Sequence, residues 1–520
     1  MSQSQSEVAK LYFKLEADRL LYLDRARQAS LLTIPSIFPP SGSSSATDFV
    51  TPYQSVGARG VNNLASKLLL TLLPTNNSFF QLTIDDFDLA AIDSEAERGK
   101  VEEGLARIER SAQQEIDARA LRVPTFEAIK HLLISGNSLL YLPKKGSLKV
   151  YKLDQYVIDR STEGQLNKII IKETTLLESL PDSVRTQVLE NGDIPIESND
   201  NDSNPEVTVF TCVNREGKKF RAHQEVEGII IPQSESVYPE DRMPYLALRF
   251  TAVDGEHYGR GFIEEYYGDL NSLEILTKAI VQGSAAAAKV LFLVNPNGTT
   301  KKQVLADSPN GAIADGNAQD VSVLQLEKFN DFRIAQETST QITERLSFAF
   351  LLNSAVQRNA ERVTAEEIRF MAQELEAALG GVYSTLSQEF QLPLVKILLK
   401  KMEDNKKMPK FPEGVLKPKI MTGLGALGRS QDLGKLMQFV EMAKVLADPA
   451  ISGEINIADA LSRVASSLDM DTQGLIKSAE QKAEEQAAEQ EQMQQMQQAE
   501  MGGKAIAPAI NAMSKQQQGG

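Results

Sequence analysis

Cysteine is nearly absent. Cys212 is the single one in 520 residues, so no internal disulfide can form and stability has to come from packing or assembly. Such usage fits a reducing cytoplasm. Cys212 stands in the apolar run Val207 to Val213, where it reads as a buried structural thiol and not as a nucleophile. Histidine is almost as scarce: His131, His223 and His257 are far apart and none has metal-ligand spacing, so all three read as structural and no metal is expected. Long apolar runs are missing too. The most apolar stretch, Ala279 to Val294, is broken by Gln282, Ser284 and Lys289, and the opening MSQSQSEVAK is polar, so neither a membrane span nor a signal segment is predicted. No Walker A sequence, G-x-S-x-G elbow or H-E-x-x-H pair occurs, and we expect no catalysis and no cofactor.

Positive charge is also in deficit. A formal net charge of -15 argues against tight nucleic-acid binding, because that affinity comes mostly from Lys and Arg displacing phosphate counterions. Any DNA contact should be loose. What remains is an ordinary soluble composition, 42% hydrophobic and 24% charged, in a chain with room for roughly three or four structural regions.

The spacing of Val8, Leu11, Leu15 and Tyr22 predicts a helix from about Gln5 to Ser30. Thr51 and Pro52 read as the cap and first turn of a second helix, with Val61, Leu64, Ala65, Leu68 and Leu72 on one buried face. Ser94 with Glu97 forms a capping box before a third, striped by Val101, Leu105, Ile108 and Ile116. From Asn137 to about Phe250 short β-rich runs take over, and Glu190 to Glu206, with six acids and no base, reads as an exposed loop.

Helical texture returns at Asp269, with small residues up to Lys289; strands and turns follow to about Asp320. A helix over Asp331 to Leu352 then carries Ile334, Ile342, Leu346 and Phe350. After the polar stretch NSAVQRNAER a longer helix opens at Thr364 and Glu367, striped by Ile368, Met371, Leu375, Val382, Leu386 and Phe390, with a bend expected at Gly380 and Gly381. Further helices cover about Ser430 to Ala447 and Asn456 to Ala479, before a Gln, Glu and Ala-rich tail.

Two motifs suggest chemistry and then fail a closer test. Gly423, Gly425 and Gly428 have G-x-G-x-x-G spacing after the possible strand KPKIMT, but helix follows where a second strand is needed about 30 residues on, so a Gly-rich turn is the better reading. Asp200, Asp202 and Asn204 open like a calcium loop, yet Pro205 replaces the required glycine and Thr211 the closing glutamate.

At TPYQSVGARGVNNLASKLLLTLLP, YGRGFIEEYYGDLNSLE and ERLSFAFLLNSAVQRNAERVTAEEIR the sequence resembles the head-to-tail connector (portal) proteins of short-tailed phages of the podovirus or autographivirus type. LGGVYSTLSQEFQLPLV and TGLGALGRSQDL share the likeness, which extends from about Leu11 to about Leu475. It implies a mixed α+β, helix-dominated subunit with wing, stem, clip and crown, forming a closed dodecameric ring with a central channel. In these terms residues 1–268 are the N-terminal wing region with its β-rich part at 137–250, 269–289 the first stem helix, 290–330 the clip and 331–352 the second stem helix. Residues 353–363 become the channel loop, 364–429 a long bent helix with the remainder of the wing, 430–479 the crown, and 480–520 a helical barrel or disordered tail.

The function so implied is passage of double-stranded DNA during packaging and ejection, at one capsid vertex of the virion, after assembly in the host cytoplasm. Implied partners are other copies of the chain, the terminase large subunit, tail adaptor proteins, major capsid and scaffolding proteins, internal core proteins and the DNA itself, read without sequence specificity; no membrane is involved. The alternative is a structural adaptor or tail ring that never encloses packaging DNA. A DNA-wide axial hole separates the two. The family places the channel loop at the narrowest point, which assigns Asn353, Gln357, Arg358, Asn359 and Arg362 to the channel wall. Ordinary salt bridges to Glu361 or Glu366 are the competing role for the two arginines.

Overall fold

In the computed structural model the first predicted helix forms as α1, Glu7–Leu31, opened by Ser6, whose hydroxyl accepts from the amides of Val8 and Ala9. Its buried face is not the predicted one. Tyr12, Arg19, Leu23 and Ala26 point inward, while Val8, Leu11 and Leu15 pack only at the edge of a small cluster around Tyr12. Arg19 can be buried because its guanidinium donates to the carbonyls of Asp154 and Tyr156, each at 2.9 Å, and pairs with Glu16 at 2.7 Å.

The described residues are 6–43, 46–74, 78–84, 95–190, 205–287, 291–309, 311–313, 315–324, 329–352, 379–409, 416–420 and 441. The chain divides into two units, Met1–Ala426 and Leu427–Gly520, and the elements below all belong to the first. The expected helices over 430–479, the tail, the acidic loop from 191 to 204, Ser94 and the Gly423 to Gly428 motif lie outside the described residues.

Helix α2, Val56–Leu72, buries Val61, Leu64, Ala65, Leu68 and Leu72, as its spacing predicts. Thr51 and Pro52 do not cap it. Gln54 does: its Oε1 accepts from the Gly57 amide at 2.9 Å, its Nε2 donates to the Leu32 carbonyl, and the Glu274 carboxylate accepts from the amides of Tyr53 and Gln54. Next come β1, Phe80–Ile84, then α3, Glu95–Ala118, with Leu105, Ile108 and Ile116 buried, and α4, Arg122–Ser135, which buries Ala128, Ile129, Leu132 and Leu133 together with the polar Thr125, His131 and Ser135.

The β-rich part holds β2 (Asn137–Tyr141), β3 (Lys149–Tyr151), β4 (Tyr156–Arg160), β5 (Leu166–Leu176), β6 (Glu206–Glu216), β7 (Lys219–Val226), β8 (Ile229–Ile230), β9 (Ser236–Pro239) and β10 (Tyr245–Arg249). A short helix, α5, Asp182–Glu190, interrupts it; the sequence reading missed this, and Val184 and Val188 seal it against Val207, Val209 and Val226. One antiparallel sheet runs β4-β5-β6-β7-β8 with β9 also on β7, and a second runs β10-β2-β3. Alternation sorts the first sheet's two faces: Ile169, Ile171 and Val213 enter the main core, and Ile170, Phe210 and Cys212 meet Tyr12 of α1. Cys212 is buried, and that burial pushes its thiol up to about 11, which fits a packing role.

After the sheets come α6, Phe262–Ala287, β11, Leu291–Val294, α7, Lys302–Asp307, β12, Val321–Leu324, and α8, Phe329–Ala349. Helix α6 starts ahead of the expected residue 269 because Phe262 and Ile263 are buried in the core and carry the helix inward. On α8, Ile342 and Leu346 are buried but Ile334 is 60% exposed, so the inner face covers only the second half of the helix.

The described chain resumes at Leu379 and Gly380. Gly380, where the bend was expected, has a left-handed backbone, φ 54°, and the helix expected ahead of it lies outside the described residues. Then follow α9, Val382–Leu386, one π-helical turn at Ser387–Gln391, α10, Leu392–Asp404, and β13, Leu416–Ile420. Val382, Leu386 and Phe390 are buried, as their spacing predicts. Strand β13 pairs antiparallel with β1, not in the parallel βαβ arrangement that a dinucleotide site requires. Among the described residues no helix is long and apolar enough to cross a membrane, and no three potential metal ligands cluster.

Candidate functional site

Helices α6 and α8 lie side by side and antiparallel. Arg345, late in α8, pairs with Asp269, early in α6, at 2.9 Å; Phe332, early in α8, covers Gly283, late in α6. Gly283 lets the Phe332 ring pack close, since a Cβ would come within 2.4 Å of it and push the ring aside. Beyond their far ends β11 and β12 pair antiparallel, Leu291 opposite Leu324, and the loop they enclose is latched by Asp320, whose carboxylate accepts from the amides of Thr299 and Thr300. These hydrogen bonds, Thr300's first, hold the Asp320 carboxyl below the usual range.

At its near end α8 stops abruptly. The amide of Leu351 bonds to Phe348, that of Leu352 reaches back to Ser347, and Leu351 itself is left-handed at φ 52°. This is the helix stop that glycine normally makes, so a leucine here carries strain that its surroundings must overcome. They are visible in α2. Asn63 Nδ2 donates to the carbonyls of Phe350 and Leu351, both at 2.9 Å, and the buried Lys67 Nζ donates to Leu351 at 3.1 Å. One turn earlier Gly60 admits the fully buried Phe350 ring, at whose atoms a Cβ would sit only 2.4 Å away.

Where the described chain resumes at Leu379, the same helix holds it. Tyr383 donates its hydroxyl to Thr71 Oγ1, and Gln391 Nε2 donates to the Leu72 carbonyl at 2.9 Å. From Asn63 to Leu72 is about 13 Å along an α-helix, so Phe350 and Leu351 on one side and Tyr383 and Gln391 on the other are tied to adjoining turns of α2. In the π-helical turn, Glu389 accepts from the amide, Nε and Nη2 of Arg249 on β10. The predicted wall residues Asn353, Gln357, Arg358, Asn359 and Arg362 themselves lie outside the described residues.

Sequence reasoning missed the clamp. Polar side chains bonding across hundreds of residues leave no periodic trace, although one signal existed: Lys67 interrupts an otherwise apolar face between Leu64 and Leu68. Asn63→Ala should remove the donor to the Phe350 carbonyl, leave the Leu351 carbonyl to Lys67, and lower stability by about 1–3 kcal/mol. The same variant should be cut faster by trypsin after Arg358 or Arg362, whereas an unchanged cleavage rate would mean the clamp does not hold this end.

A family model described as "Bacteriophage head to tail connecting protein" matches residues 5–476. The chain is 41% identical over 515 residues to the "Portal protein" of Enterobacteria phage T3, covering 98% of this chain and 95% of that one. To the "Portal protein" of Escherichia phage T7 it is 42% identical over 482 residues, covering 91% and 89%. A solved chain titled "Neck of empty GTA particle computed with C6 symmetry" covers 80% of this chain and 90% of its own at TM-score 0.38 and 11% identity, a likeness too distant to weigh.

Proposed function

The chain belongs to the bacteriophage head to tail connecting protein family, which makes it a structural, non-enzymatic phage portal component of the head–tail junction, and from that membership we propose that copies of it close into a dodecameric ring around a channel for double-stranded DNA. The observation that carries this reading is the clamp on α2, which holds Phe350 and Leu351 just ahead of the stretch with Arg358 and Arg362, and Tyr383 and Gln391 further along the chain. A loop whose entry is fastened in this way can meet moving DNA without unravelling the subunit. Helices α6 and α8 then act as the stem, and the β11–β12 module as the clip on which the terminase large subunit docks before tail adaptor proteins replace it. The sheets and outer helices form the wing towards capsid and scaffolding proteins, and residues 430–520 the crown and tail towards internal core proteins.

Acidic residues outnumber basic ones on both α6 and α8, so a wall built of them would repel phosphates and let DNA slide. Arg358 and Arg362, repeated around the axis, form the exception: a belt of positive charge that touches phosphates without reading bases and slows back-slippage. Replacing both arginines with alanine should leave rings and procapsids normal while DNA retained per particle falls severalfold. Unchanged DNA content would remove the belt from the account.

A further inference from the structure

A cleft of about 540 Å³ opens between the β6–β7 face, β10 and α10, and none of its lining residues belongs to the clamp on α8. Its size falls in the range of about 300–1,000 Å³ typical of small-molecule sites. In a chain of net charge -15 it is lined by Lys144, Arg242, Lys400 and Lys401 against one carboxylate, Asp404. Lys400 pairs with Glu403 and Asp404, and Arg242 with Asp241. Lys401 is different. Half-buried, it donates to the carbonyls of Leu142 and Pro143, and among the described residues it has no carboxylate within 4.0 Å. Glu115, the acid whose charge reaches it, is engaged by Arg119 and Lys407.

Tyr141 and Tyr245 also line the cleft, stacked with centroids 4.6 Å apart and planes 20° apart, and Tyr238 lies there too. A poorly hydrated ammonium without a carboxylate favours an anion, and aromatic rings favour a flat apolar group. A nucleotide carries both. We propose that this cleft binds a nucleotide-type ligand without turning it over, the phosphate on Lys401 and Lys144 and the base against the Tyr141–Tyr245 pair. A carboxylate-rich peptide would satisfy the ammonium but leave the aromatic wall without a partner. Free nucleotides and single-stranded DNA present the same chemistry, and the two sources separate by experiment.

The test is calorimetric titration of the assembled protein with deoxyadenosine monophosphate, inorganic phosphate, decathymidylate and tetraglutamate. The monophosphate should bind at one site per chain, about tenfold tighter than phosphate alone, and Lys401→Met and Tyr141→Ala should each weaken it about tenfold. Burial pulls the Lys401 ammonium down to about 8. The charged groups around it are Arg119 and Glu115 on α3, Lys144 after β2, and Lys400 and Asp404 on its own helix. Binding needs its charged form and the dianionic phosphate, so affinity is full between about pH 6 and that value, and on the alkaline side is lost as pH rises through it. Lys401→Arg should keep the affinity and abolish this alkaline loss. Decathymidylate binding as tightly as the monophosphate marks single-stranded DNA as the source, and weaker binding marks free nucleotide; either supports the site. No binding of the monophosphate, tighter binding of tetraglutamate, or unchanged affinity in correctly folded Lys401→Met overturns it.

Discussion

Valine in place of Gly60 is expected to cost about 3 kcal/mol and to lower both the denaturation midpoint and the soluble yield, because it overfills a closed space. The added side chain would start 2.4 Å from the Phe350 ring, which has no exposed surface and cannot swing into solvent. Phe262 and Tyr266 hold that ring on its other sides, at centroid distances of 5.8 and 6.0 Å. The strain has one outlet, withdrawal of the end of α8 from α2, which would also break the bonds from Asn63 and Lys67. Gly60→Val should therefore expose 353–363 to trypsin as Asn63→Ala does, and more strongly. The control is Gly104→Val on α3, where a Cβ meets nothing within 4 Å and only helix propensity changes. Equal stability of the two variants would mean that α2 and α8 do not meet this way in solution.

Glu389→Leu is expected to cost a similar amount, about 3 kcal/mol, since removing one partner of a part-buried, hydrogen-bonded pair leaves a charge stranded. Glu389 and Arg249 are 16% and 13% exposed, and the carboxylate accepts three hydrogen bonds from that one residue. The buried Arg160 stands near. Burial first, then the charge of Arg249, draws its guanidinium down to about 10, and Glu389 opposes both. Loss of Glu389 thus leaves two arginines facing each other without an acid. Arg249→Met combined with Glu389→Leu should recover much of the loss in a double-mutant cycle of denaturation midpoints. Strictly additive losses would show that the pair contributes as separate residues.

The elements that could be read from the sequence are those whose stability is local and periodic. Helix α2 and the segment from Val382 to Phe390 follow their apolar spacing. The cap of α2 could not be read, because Thr51 and Pro52 have the right chemistry but the bonds come from Gln54 and from Glu274, far along the chain. The inner face of α1 was misjudged for a related reason: an arginine is placed inside only once the carbonyls of Asp154 and Tyr156 are known to meet it. Helix α5 is short, and its two buried valines make too brief a pattern to stand out from the strands around it.

For the site, NSAVQRNAER could be found by its polarity between two apolar helices. What holds its ends could not. Asn63, Lys67, Thr71 and Gln391 contribute polar bonds to partners hundreds of residues away, and hydrophobic periodicity does not register such bonds. All four lie in segments that carry the family resemblance, and Gly60 and Gly283 add close contacts that only a structure reveals.

The most direct test of the account is electron cryomicroscopy of the purified protein viewed along and across its symmetry axis. The account predicts a closed ring whose axial hole admits double-stranded DNA, with α6 and α8 beside the hole and the stretch holding Arg358 and Arg362 at its narrowest point. A monomer, an open filament, a hole too narrow for duplex DNA, or those arginines facing away from the axis would contradict it.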